Sequence, residues 1–189
     1  MNQTPPVPPT RLATNETVSS ASPLTLIARA VPPSFSAWLG ASPAERWPDG
    51  RFLVHIRHIR AGLAELFDQC DTPMAAPAQW WIEDIAALAE RFVALTGQDR
   101  VDVRLERVTD NACSRFHKDN VPIRLVTTYY GPSTELVPEE FGARALTQQQ
   151  DYGGPLERLQ AGDVAIFRGG SMGIVHRSPP IAHTGEVRS

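Results

Sequence analysis

The sequence predicts an α+β protein in which helices come first and an antiparallel sheet, folded into a sandwich or barrel, comes second. Apolar residues recur at helical spacing between Ile56 and Val93, and from Val101 the period of the pattern changes from 3.6 to 2. Short apolar runs then follow one another to the end of the chain, separated by Gly and Pro. That order suits helices packed on a sheet of local, antiparallel pairings.

Taken in order, residues 1–22 (MNQTPPVPPTRLATNETVSSAS) are rich in Pro, Thr and Ser and offer too few apolar side chains to offset the entropy of ordering them, so they read as a disordered tail. Residues 23–189 read as a single domain. Prolines at 32, 33, 43 and 48 punctuate the next stretch around Phe35, Trp38 and Trp47, aromatics that suit one edge of a core. Ile56, Ile59, Leu63, Leu66 and Phe67 mark one amphipathic helix, and Ile82, Ile85, Ala86, Ala89, Phe92 and Val93 a second, with Gly97 where a C-cap glycine belongs. Val101, Val103 and Leu105 alternate with charged residues as in a half-buried strand, and Val121 to Tyr130 reads as another strand, with Pro122 at its start. Asp163 to Phe167 and Gly173 to Arg177 are two further strand-like runs, and Gly169 with Gly170 between them suits a hairpin.

Composition removes several classes of function. The 189 residues carry a net charge of −3 and no long basic run, so there is no electrostatic footprint for nucleic acid. No stretch approaches the roughly 18 consecutive apolar residues of a membrane span, and no secretion signal opens the chain, which makes the cytoplasm the expected compartment. Cys70 and Cys113 are too few to staple a fold of this size and read as thiols.

The chemistry concentrates in SRFHKDNVPIRLVTTYYGP, residues 114–132. Residues two apart in an extended chain share a face, with Cα atoms roughly 6.5 Å apart, so His117 and Asp119 can converge on one ion while Lys118 points away. His176, in GIVHRSPP beyond the two glycines, is the candidate third ligand. Two histidines and one carboxylate, with positions left open, form the arrangement of non-haem Fe(II) oxygenases. Each residue also has a plainer reading. His117 and Asp119 could be a hydrogen-bonded pair ordering a strand end, and His176 a satisfied core histidine. Arg124 suits either a buried ion pair with a carboxylate such as Glu106 or the binding of an acidic substrate group. Arg177, on the opposite side of a strand from His176, suits a structural ion pair. Tyr129 and Tyr130 face opposite sides, so at most one lines a pocket, and Tyr129 is the candidate. Cys113 lies about 13 Å from His117 along an extended chain, too far to share its metal unless a turn forms there; a buried thiol is the simpler reading. His55 and His58 could pair on a helix but lack a third ligand, and His183 is a reserve.

CSRFHKDNVPIRLVTTYYGPSTE, LQAGDVAIFRGG and VHRSPP together resemble the bacterial DUF1826 family, a domain of unknown function, over most of the chain from about Ala30 onward. The family's link with zinc-handling gene neighbourhoods implies a role in zinc homeostasis. More widely, His117, Asp119, the run Gly162 to Phe167, His176 and Arg188 are similar in order to the pattern of the 2-oxoglutarate/Fe(II) dioxygenases. That resemblance implies a double-stranded β-helix, or cupin-like jelly roll, with N-terminal helices packed on its sheet. It also implies Fe(II) on His117, Asp119 and His176, with 2-oxoglutarate anchored by Arg188, Arg124 and Tyr129 being further cofactor-site candidates, and an unknown small-molecule or peptide substrate. The alternative is a non-catalytic protein holding or sensing Zn²⁺ through the same three residues plus Cys113. Both families imply a closing apolar strand beyond Arg188, which this sequence, ending at Ser189, is expected to lack.

Overall fold

The structure is a computed structural model and describes residues 10–12 and 22–189; the rest of the expected tail lies outside the described residues. In chain order the elements are β1 (Thr10–Leu12), β2 (Leu24–Ile27), α1 (Pro33–Ala41), β3 (Gly50–His55), α2 (Ile59–Gln69), α3 (Ala76–Thr96), β4 (Arg100–Leu105), β5 (Ile123–Thr127), β6 (Glu135–Leu136), α4 (Gly142–Gln148), β7 (Glu157–Arg158), β8 (Val164–Arg168) and β9 (His176–Arg177). The protein is thus mixed α+β, with helices and small, largely antiparallel sheets. No helix of the described residues is long and apolar enough to cross a membrane. The residues gather into two compact units, one comprising the described residues up to Ala30 with Thr109–Glu186, the other Val31–Val108 with Val187–Ser189.

In the second unit, α2 packs on β3 and α3 on β4, the two strands forming an antiparallel ribbon. The predicted helical spacing is real: Ile59, Leu63, Leu66 and Phe67 of α2 and Ile82 and Ala86 of α3 are buried. Trp81, fully buried, receives the edges of Phe35 and Phe67 at centroid distances of 5.3 and 5.4 Å. Gly97 ends α3 in the left-handed region at φ +69°, where a side chain would be strained, and its N–H closes on Val93 O at 2.8 Å. Strand β3 does not stand out in the sequence because Leu53, 65 % exposed, interrupts the polar face of its alternation.

The first unit is built from two sheets, ordered β1-β2-β8-β5 and β7-β6-β9. The registers Leu24↔Phe167, Leu26↔Ala165 and Val126↔Ala165 put these five side chains on one face. They form a common core with Leu136 of the second sheet and with Leu159 and Ile174, which flank its strands β7 and β9, so the two sheets face each other across it.

The expected hairpin across Gly169 and Gly170 is corrected here. Both edges of β8 are occupied, by β2 and by β5, so β9 cannot pair with it and instead joins β6. The chain crosses from the first sheet to the second through a short 3₁₀ turn, Gly170–Met172.

Because Leu24 is fully buried where the sheets meet, Leu24→Ala should cost about 2–5 kcal/mol. A urea-unfolding midpoint lowered without a change in slope would show it.

Candidate metal centre

The first unit brings His117 to His176 by backbone pairing. Each N–H donates to the other's carbonyl at 3.0 Å, an antiparallel hydrogen-bonded pair that adds His117 to the free edge of β9. Directly opposed residues present their side chains on the same face, and the two imidazole centroids lie 4.5 Å apart. His117 therefore belongs with the second sheet, whereas β5, expected to continue from it, pairs with β8 in the first. The segment from Asp119 to Pro122 makes that crossing.

Two crossings, residues 119–122 and 169–172, run side by side. Gly170 N–H donates to Asp119 O at 2.8 Å and Gly169 N–H to Pro122 O at 3.2 Å. A Cβ on Gly169 would stand 2.1 Å from Val121 O and 2.5 Å from Asp119 O, so only glycine allows this approach. Lys118 points out of the cluster, its Nζ donating to Ser171 O at 2.9 Å.

Among the described residues, His117, Asp119 and His176 form a group whose ligand atoms all lie within 4.8 Å of one another. Nδ1 of His117 lies 2.8 Å from Arg115 O and Nδ1 of His176 3.0 Å from Ile174 O. A carbonyl only accepts, so each Nδ1 carries a proton, and in the neutral ring Nε2 is then the nitrogen left with a lone pair for a metal. Phe167 stacks on His176 at 4.2 Å and 26°. Burial pushes the His176 pKa below the ordinary histidine range, against a smaller upward effect of the bond to Ile174 O, and the nearby His117 lowers it further. The neutral, ligating form is thereby favoured.

The Asp119 side chain is 3 % exposed, and its Oδ1 accepts from Arg124 Nη1 at 2.8 Å. Its Oδ2 has no hydrogen-bond partner among the described residues and lies 3.9 Å from His176 Nε2, too far for a hydrogen bond. A buried carboxylate oxygen without a partner is expensive, and one in a carboxylate grouped with two histidines suits a cation. The donor set therefore fits a divalent metal.

The other sequence candidates lie as follows. Arg124 takes Asp119, not Glu106, as its carboxylate. Tyr129 is buried, with the Arg29 guanidinium 5.8 Å from its ring centroid. Arg177 makes the expected structural pair, its Nε donating to buried Glu135 at 2.8 Å while its guanidinium covers Phe116 at 4.2 Å. Arg188 is buried in the second unit, where its backbone pairs with Val108. Cys113 does sit in a turn, at φ +56°, but it is exposed and outside the ligand group; with His117 it borders a surface depression. His183 is likewise outside the group.

Sequence reasoning did not find Gln149. Its Oε1 accepts from Phe116 N–H and its Nε2 donates to Phe116 O, both at 3.0 Å, so one side chain does the work of a neighbouring strand just before His117. No periodic pattern signals such a contact. Gly169 was legible only as a turn residue, although its role is to let Asp119 approach.

Gly169→Ala should displace the Asp119 segment and weaken metal binding by about 10- to 100-fold, the usual effect of losing support behind a ligand. Competition titration with Zn²⁺ against a chromophoric chelator measures this.

Neither the curated proteins nor the solved structures contain a match to this chain, so the wider likeness to the dioxygenases rests on the ligand pattern. The family model described as "Protein of unknown function (DUF1826)" matches residues 12–189, and the chain belongs to that family.

Proposed function

We propose that the first unit carries a mononuclear divalent-metal centre held by His117 Nε2, His176 Nε2 and Asp119 Oδ2, and that the protein is a non-haem Fe(II) oxygenase with 2-oxoglutarate as cosubstrate. The observation that carries the reading is Asp119 Oδ2, buried without a hydrogen bond among the described residues, in a carboxylate grouped with His117 and His176. Fe(II) so held would supply redox chemistry with O₂ at positions the protein leaves open. His117, half-buried beside the surface depression, is the ligand nearest to arriving small molecules. For the acid groups of the cosubstrate the candidates in the first unit are Arg124 and Tyr129. We read the first unit as a short double-stranded β-helix; two sheets facing one another over a shared core, with the ligands where chains cross between them, support this.

One observation favours the alternative, a protein that holds or senses Zn²⁺ without turnover. The turn at Cys113 supplies the bend that a thiolate ligand would need, and the thiol is exposed beside the same depression as His117.

The full chain should bind one divalent metal. His117→Ala and His176→Ala should each abolish binding, and Cys113→Ala should leave it unchanged. Metal content after anaerobic Fe(II) loading checks this, and loss of binding in Cys113→Ala would favour zinc. Adding 2-oxoglutarate to the anaerobic Fe(II) protein should then produce a visible absorption band, with succinate released in air. Tight Zn²⁺ binding with neither signal would support the alternative.

A further inference from the structure

Asp119 is asymmetric in a way that the ligand set alone does not require. Oδ1 accepts from Arg124 Nη1 at 2.8 Å, while Oδ2, 3.9 Å from His176 Nε2, has no hydrogen-bond partner among the described residues. A carboxylate can bind a cation through one oxygen or through both. We propose that Arg124 is a positioning residue that holds Asp119 to a single metal-facing oxygen, and so reserves three coordination positions instead of two for ligands from solution. The inference rests on the metal-centre reading above.

The fold sets the backbone of Arg124 beside the centre, from which its half-exposed side chain reaches Asp119. Arg124 stands on β5, whose five-residue register with β8 sets it opposite Phe167, and Phe167 is the ring stacked on His176. The strand pair that flanks one ligand thus delivers a guanidinium to another. Asp119 cannot turn Oδ1 toward a metal without breaking a charge-assisted bond to a residue anchored in the other sheet. Gly169 and Gly170 fix the backbone of the segment, so the choice between one oxygen and two falls to the side chain and its bond to Arg124. At a six-coordinate metal, three protein atoms leave three positions, enough for a ligand that chelates through two oxygens together with one further small molecule. A two-toothed Asp119 would leave two, enough for the chelator alone.

The test counts metal-bound water. Mn²⁺-loaded full-length protein is compared with Arg124→Met and Arg124→Lys by water-proton relaxivity. Wild type and Arg124→Lys, whose ammonium can still hold Oδ1, should match, and Arg124→Met should fall by about a third as Asp119 closes on the metal with both oxygens. Arg124→Met loaded with one Mn²⁺ and matching wild type would overturn the proposal. Failure of wild type to take up Mn²⁺ or any other divalent ion would overturn the metal-centre reading itself. If Arg124→Met does not fold, infrared difference spectra of wild type labelled with ¹³C at aspartate carboxylates decide the matter. A wide splitting of the Asp119 carboxylate bands on metal loading marks one-oxygen binding and supports the proposal; a narrow splitting marks two-oxygen binding and refutes it.

Discussion

The candidate centre depends on one backbone interaction, the reciprocal hydrogen-bonded pair between His117 and His176. It joins two stretches far apart in the sequence and, because opposed residues in an antiparallel pair share a face, it alone sets both rings side by side. The surrounding contacts keep that pair in register. Leu136 and Val137 continue the ladder on the other edge of the His176 strand, and the Gln149 amide occupies the backbone of Phe116. Phe116 is in turn buried against Tyr152 and beneath Arg177. Glu135, 3 % exposed, is satisfied by Arg158 and Arg177 from its two neighbouring strands, which gives a buried charge the partners it needs.

The third ligand comes by a different route. Asp119 lies where the chain leaves the second sheet, and the return crossing at Gly169 and Gly170 holds it from behind. The centre is therefore assembled at the place where two connections pass each other, flanked by Arg124 and Phe167 of the facing sheet. Polar groups buried at such a place are tolerable only when matched. Each of the three candidate ligands has one side-chain atom held by the protein, His117 and His176 by carbonyls and Asp119 by Arg124, and the three are grouped within 4.8 Å of one another.

How far the sequence discloses this varies with the range of the interaction. The helices of the second unit and the cap at Gly97 are local, set by periodicity and by one φ angle, and they read correctly. The H-x-D spacing and the order of the later histidine identify the three residues that come together, because that pattern of side-chain types can be read without knowing the strand pairings. What the sequence conceals is nonlocal. An alternation of two cannot say that β8 is already paired on both edges, so the run after Gly170 looks like the second arm of a hairpin. Arg124 suits any carboxylate until the register of β5 with β8 delivers it to Asp119. Gln149 and Gly169 act through backbone contacts that leave no compositional trace.

The central claim is that Asp119 Oδ2 and the two Nε2 atoms face one another because a cation belongs between them. A crystal of the full chain soaked with Zn²⁺ and measured at the zinc absorption edge tests it directly. The account predicts one anomalous peak about 2.0–2.2 Å from His117 Nε2, His176 Nε2 and Asp119 Oδ2, with Oδ1 still on Arg124. A structure with no peak there, and with Asp119 Oδ2 hydrogen-bonded to a protonated His176 Nε2, would contradict it.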